Sequence, residues 1–450
     1  MQMSLSRFRQ ELRRGRGSAL LALKNSGGRE VYFDAVLWCC LHNACYDAQC
    51  EGDRSRYLYD AICLFDDKSR FEDAIIERLR GKNPDLSLFG QLVALLCFFA
   101  DEGSGKALNA LLGLHDDMFA TLISRRKPKM DERESFELLC ICLTKLIGFT
   151  FFKETIERVG LHCTSSDVEW PRFFIDWFYD SANSEFGKKR IKKYLEKCAA
   201  KSAATAAFLK EVTEYKIHWE GGRQEPTLEQ YLKPENTDSR TAVIRKRIIS
   251  RRILPSITPE DLMVIAERAV MEVDLDFRAA LLQIFARTPF PLGERYIVEF
   301  AESGHERLRE IAFKMMEQVK SEAMRGYALG KLQQDEDIPD MIAVLCSQDR
   351  EQDEVLIFEK LKRMPVRYNN GRWHGAYMSV EDAIEQSRRR PQTEVLLYMY
   401  RNTLCSYCRE SIVKLMCRKR VLPREVLEEC TWDCNTDTRK WAERVLKRMS

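Results

Sequence analysis

The chain has 450 residues, of which 45% are hydrophobic and 31% charged, and its formal net charge is +3. These proportions exclude a disordered chain, and the charge is too small to mark a nucleic-acid binder by itself. The most apolar stretch, residues 88–100 (LFGQLVALLCFFA), is too short to span a bilayer and reads as a buried helix.

In chain order, the basic start (SRFRQELRRGRG, 6–17) leads into ALLALK, a short apolar run broken by lysine, so no signal peptide is expected and the location expected is cytoplasmic. The segments RYLYDAICLF (56–65), FEDAIIERLR (71–80), SFELLCICLTKLIGF (135–149), EDLMVIAERAVME (260–272) and DFRAALLQIFAR (276–287) carry apolar residues three and four apart. That spacing predicts amphipathic helices. Period-two alternation does not persist, and REVYF (29–33) and EYKIHW (214–219) are the short β candidates. Connections such as GKNPD, DEGSG, RTPFPLG and QQDEDIP carry Gly, Pro, Asp or Asn, which gives a chain of helical hairpins. Many of the 16 cysteines sit inside apolar helical runs, as in VLWCCLHNAC and LLCICLTKL, and read as reduced core thiols.

Two of the predicted helices align. With Arg278 set against Arg309, 31 residues on, Leu281 matches Ala312, Leu282 matches Phe313 and Phe285 matches Met316. Near the C-terminus Arg409 and Arg439, 30 residues apart, repeat the setting, with Ile412 matching Ala442, Leu415 Val445 and Met416 Leu446. A period near 30 with two helices per period is a solenoid signature: one pair cannot bury its own apolar faces, and stacked neighbours can. The segments DFRAALLQIF, RLREIAFKMM, YCRESIVKLM and DTRKWAERVL, with the proline-led ITPEDLMVIAERA and VLPREVLEEC, resemble HEAT-like and armadillo-like repeats. The resemblance implies an all-α fold, a right-handed α-solenoid of stacked antiparallel helix pairs. It also implies that Arg278, Arg309, Arg409 and Arg439 support stacking. It is best over 255–360 and 395–449; before 215 it rests on periodicity alone.

Two irregular stretches divide the chain. Residues 215–241, with Gly-Gly and two prolines, mark a linker or long loop between a degenerate N-terminal repeat region (1–214) and C-terminal repeats (242–450). Residues 364–382, with Asn-Asn-Gly and Trp-His-Gly, read as an insertion whose aromatics admit a small β-hairpin.

The CSYC motif (405–408) has two-residue metal spacing, and Cys417, Cys430 and Cys434 follow. Structural zinc needs four converging ligands, and these thiols read instead as scattered core residues, so no metal and no cofactor are expected. The six histidines are dispersed, no HExxH, GxSxG or P-loop occurs, and no catalytic residue is assigned. Acidic pairs at 65–67, 115–117 and 335–337 read as helix caps at turns.

The basic clusters supply the candidate interaction surface: Lys188, Lys189 and Arg190; Arg245, Arg247, Arg251 and Arg252; and Arg372 with Trp373 and His374. Further basic runs lie at 125–129, 387–390 and 418–420. Such residues aligned on a concave face can follow a phosphate backbone. Trp170, Asp176 and Trp177 beside GKKRIKK are similar in kind to the surface of HEAT-like alkylpurine DNA glycosylases, without a residue-by-residue motif. The expected function is a non-catalytic scaffold that binds a protein partner on its concave face, with no membrane contact. Nucleic-acid backbone binding is the first alternative and a glycosylase-type enzyme the second.

Overall fold

The computed structural model describes residues 3–46, 51, 54–81, 84–124, 130–165, 170–219, 226–234, 239–368, 371–387 and 393–449. Among them the chain forms 26 α-helices and four short 3-10 helices, and no strand. Both β candidates are helical: Arg29–Tyr32 is a 3-10 turn running into the helix Phe33–Leu41, and 214–219 ends the helix Ala203–Trp219. The hairpin expected in 364–382 does not form either. Gly371 precedes the helix Arg372–Gln386, where Trp373, Ala376, Tyr377 and Val380 are buried at helical spacing. Aromatic and β-branched residues favour strands only where a pleated surface receives them, and here a helical stripe has a neighbour to pack on.

The contacts divide the chain into two units, Met1–Gly222 with Pro423–Ser450, and Arg223–Leu422. In the second unit one row of helices runs Ser239–Ile253, Leu275–Leu282, Glu306–Met316, Ile338–Gln348, Arg372–Gln386 and Ser406–Arg418, each packed on the next. Pro259–Met271, Glu294–Ala301, Glu322–Gln333 and Thr393–Asn402 each pack against the row helix that follows, and Glu354–Arg363 packs against Ile338–Gln348. This is the all-α, stacked-pair architecture of a helical-repeat solenoid. The residues aligned by sequence share one buried setting: Leu281, Ala312, Leu282, Phe313, Phe285 and Met316 are all 0% exposed. Leu275–Leu282 tightens into the 3-10 turn Gln283–Ala286, which keeps Phe285 against Glu306–Met316.

Side chains bridge successive pairs at the same period. Arg307 donates to Asp276 across 31 residues (3.1 Å), Arg350 to Glu322 across 28 (2.7 Å), Gln348 to the Val319 carbonyl across 29 (3.0 Å) and Arg418 to Glu385 across 33 (2.6 Å). Arg325 grips the buried Asp353 through Nε and Nη2 at 2.9 and 2.7 Å, a bidentate geometry that fixes register as well as charge.

In the first unit a comparable row runs Arg54–Ile62, Leu86–Asp101, Met130–Ile147, Trp170–Phe186 and Ala203–Trp219. Its bridges are longer and less regular: Ser104 to Glu72 spans 32 residues, Arg158 to Asp116 spans 42 and Ser202 to Glu157 spans 45. The helices Arg424–Cys430 and Thr436–Met449 belong to this unit rather than to the repeats that precede them. Glu429 accepts from the buried Arg16 at 2.8 Å, the Cys434 N–H donates to Gly15 at 2.9 Å, and Arg439 donates to Asp60 at 2.6 Å. No helix among the described residues is long and apolar enough to cross a membrane.

Candidate functional site

The helix Ser406–Arg418 begins on Cys405, its N-cap residue, and so places Cys408 in the first turn. Between them Ser406 is buried and Tyr407 is exposed. The preceding row helix starts with Arg372, Trp373 and His374. Trp373 is 1% exposed, its indole N–H donates to the Arg367 carbonyl at 3.0 Å, and its ring lies near-parallel to that of His374 with centroids 5.4 Å apart. The tryptophan thus anchors the turn that carries the histidine. His374 is half-buried, and its Nε2 lies 2.7 Å from the Cys408 sulfur. Nε2, Cys405 Sγ and Cys408 Sγ all fall within 4.8 Å of one another.

The cluster is polarised. Hydrogen bonding from Cys408, then from His374, lowers the Cys405 thiol to about 4 against the opposing effect of burial, while the Cys408 thiol is pushed well up by the adjacent Cys405 and by burial. The Cys405 sulfur is thus the one biased toward the thiolate. The helix N-terminus favours it as well, because the free backbone N–H groups and the helix dipole stabilise an anion there. A thiolate, a thiol and an imidazole so placed can hold a borderline-soft metal ion or exchange a disulfide.

The sulfur set weighed from sequence does not converge. Cys417 lies three turns along the same helix, and Cys430 and Cys434 are buried in the other unit. The group that does approach Cys405 and Cys408 is a histidine 31 residues before Cys405, one repeat length, on the neighbouring row helix. The repeat period was the signal that could have found it.

The other expected residues are dispersed. Arg372 is exposed and pairs with Asp340 and Asp337, so 372–374 opens a helix and is no surface loop. Arg245, Arg247, Arg251 and Arg252 are exposed on Ser239–Ile253, beside Ile244 and Ile248. Lys246 within that run is buried and donates to the carbonyls of Gln230 (3.0 Å) and Lys233 (2.9 Å). Lys188, Lys189 and Arg190 are exposed in the first unit, where Arg190 lies over Phe149 at 4.5 Å. Arg278 donates to the Glu272 carbonyl at the end of the preceding helix, Arg309 is half-buried, Arg409 is fully buried, and Arg439 holds Asp60. Trp177 is 59% exposed. Residues 125–129 and 388–390, and the side chains of Trp170 and Asp176, lie outside the described residues. Residues 115–117 sit inside the helix Gly105–Ser124 and not at a turn: His115 is buried beside Phe119, Phe136 and Phe151, and Asp116 pairs with Arg158 at 2.7 Å.

A groove of about 270 Å³ crosses the row of the second unit, lined among others by Glu317, Lys320, Asp349, Ser379 and Asp382. Burial acts on two of its carboxyls, those of Glu317 and Asp382. Burial raises Glu317 despite Lys314 at 2.5 Å, and burial with the neighbouring Glu385 raises Asp382.

No family model matches the sequence, and no curated protein compared with it does. Among solved structures the chain is similar to importin beta, crystallised in a polyethylene glycol condition, with 11% identity over 98% of this chain and 68% of that one and a TM-score of 0.29. At that score the likeness adds nothing to the helical-repeat architecture already evident from the packing.

Proposed function

We propose that the protein is a non-catalytic helical-repeat scaffold whose second unit binds a protein partner along the row of stacked helices, through a partner segment rich in lysine and arginine. The observation that carries this reading is the acidic groove. Glu317, Asp349 and Asp382 line it with Lys320, and burial raises Glu317, which pairs with Lys314, and Asp382. A carboxyl raised by burial is one whose charge is poorly solvated. A cationic side chain brought alongside relieves that cost, whereas a phosphate backbone adds to it. Complementary charge of this kind sets the partner's sign and speeds encounter, and it weakens with salt.

One observation favours a second reading, phosphate-backbone binding: the four exposed arginines on Ser239–Ile253 share their helix with exposed Ile244 and Ile248. Fluorescence anisotropy with a labelled Lys/Arg-rich peptide, its Glu-rich counterpart and a short nucleic acid, at about 0.1 M salt, separates the two. The expected result is that the cationic peptide binds alone and that Asp382→Lys weakens it by about tenfold, roughly 1.4 kcal/mol. Nucleic-acid binding that is lost in Arg247→Glu, with no peptide binding, would overturn the scaffold reading.

A further inference from the structure

We propose that His374, Cys405 and Cys408 form a zinc site that clips the helix Arg372–Gln386 to the helix Ser406–Arg418. The three donors come from two successive row helices and already lie within 4.8 Å of one another. Two sulfurs and one imidazole nitrogen suit zinc, which accepts N and S ligands in a tetrahedral arrangement, and do not suit calcium or magnesium, which take oxygen. The Cys-x-x-Cys half sits on a helix N-terminus, whose dipole favours anionic sulfur, and Arg409, fully buried one turn beyond Cys405, adds positive charge. Two thiolates offset the charge of Zn²⁺, which limits the cost of holding the ion in a partly buried corner.

The geometry defines what must move. Zn–S bonds of about 2.3 Å and a Zn–N bond of about 2.0 Å place tetrahedral ligands roughly 3.6–3.8 Å apart. The 2.7 Å between Cys408 Sγ and His374 Nε2 is a hydrogen bond and not a metal-bridged spacing. Loading therefore replaces the bonding proton with the ion, releases that proton to water, and backs the imidazole away by about 1 Å. His374 has room for this because it is half-buried, while both cysteines are fixed by their helix. Among the described residues no fourth His, Cys, Asp or Glu joins the set, so the fourth position belongs to water or to an outside donor. This site stands independently of the scaffold reading.

The test uses the full chain, reduced, loaded with zinc chloride and then desalted. Elemental analysis is expected to give about one zinc per chain, and cobalt substitution to give the intense visible bands of a tetrahedral, thiolate-bound ion. Loaded protein should protect Cys405 and Cys408 from alkylation, as read by peptide mass spectrometry. His374→Gln and Cys408→Ser should each cut retained metal by about tenfold or more with helical circular dichroism unchanged. Should Cys408→Ser fail to fold, the cobalt spectrum and the alkylation map of the unaltered chain still decide. Less than about a tenth of an equivalent after loading, retained metal indifferent to both substitutions, or a Cys405–Cys408 disulfide in protein that takes up no metal under reductant overturns the site.

Discussion

Glu137 is 9% exposed on the helix Met130–Ile147, where burial and the nearby Glu134 raise its carboxyl from 4.5 to about 7. A carboxyl raised in the folded state makes the fold bind protons more tightly than the unfolded chain does. Its contribution is then fully present below about pH 4.5 and is lost as pH rises through about 7. Above that the ionised side chain costs of order 1–3 kcal/mol. Glu137→Gln should therefore stabilise the protein at pH 8 and leave it little changed at pH 4.5, measured as the difference from unaltered protein in urea midpoints at the two pH values. A variant equally less stable at both would show that Glu137 is held by a bond and not merely buried. Residue-level chemistry was only half legible in the sequence. The type and spacing of Cys405 and Cys408 were plain, but burial of Glu137 and the approach of His374 depend on neighbouring helices, which local spacing does not encode. The same limit hides the burial of Arg16, in the basic start of the chain, between Glu11 and Glu429.

Helix packing supplies a paired test. Gly160 lies in Phe149–Ser165, against Ala203–Trp219, and a Cβ added there would sit 2.0 Å from the Ala204 carbonyl oxygen. Backbone cannot yield as a flexible side chain can, so Gly160→Ala should cost about 3 kcal/mol. Gly113 is also inside a helix, Gly105–Ser124, but a Cβ there meets nothing within 4 Å. Gly113→Ala should instead gain about 0.5–1 kcal/mol, because alanine loses less conformational freedom in a helix than glycine. Denaturant titration of the two variants gives opposite signs if the packing is right; two losses of equal size would mean that Gly160 is not a contact point. Helices of this kind were readable from apolar spacing, and in the second unit so was their register, since the bridging side chains keep one period. The first unit stayed illegible as repeats because its bridges keep no one period, spanning 32 residues at Ser104–Glu72, 45 at Ser202–Glu157 and 52 at Gln91–Cys39. REVYF misled because Tyr32 and Phe33 are buried among helices, where composition alone suggests a strand.

At the scale of the whole molecule, the first unit is discontinuous in sequence: its last two helices are made after the whole of the second unit. The repeat register could not reveal this. Arg409 and Arg439 sit in matching patterns, yet Ser406–Arg418 and Thr436–Met449 fall in different units. Within the first unit the returning segment is seated by close approach. A Cβ on Gly17 would lie 1.9 Å from the Glu429 carbonyl oxygen, Gly15 has φ of +69°, and Arg16 between them bonds Glu429. Gly17→Ala should push Arg424–Cys430 off Gly17–Lys24 while leaving every buried side chain in place to reform. Hydrogen exchange in Gly17–Lys24, Arg424–Cys430 and Thr436–Met449 should then quicken by about tenfold or more, since Gly17–Lys24 packs on Arg424–Cys430 and that helix on Thr436–Met449. Glu306–Met316 and Ile338–Gln348 should keep their protection, because the helices they pack on belong to their own unit. Exchange that quickens equally in both sets would mean that the two units open as one cooperative body. Exchange unchanged in both would mean that the seam at Gly17 carries no stability.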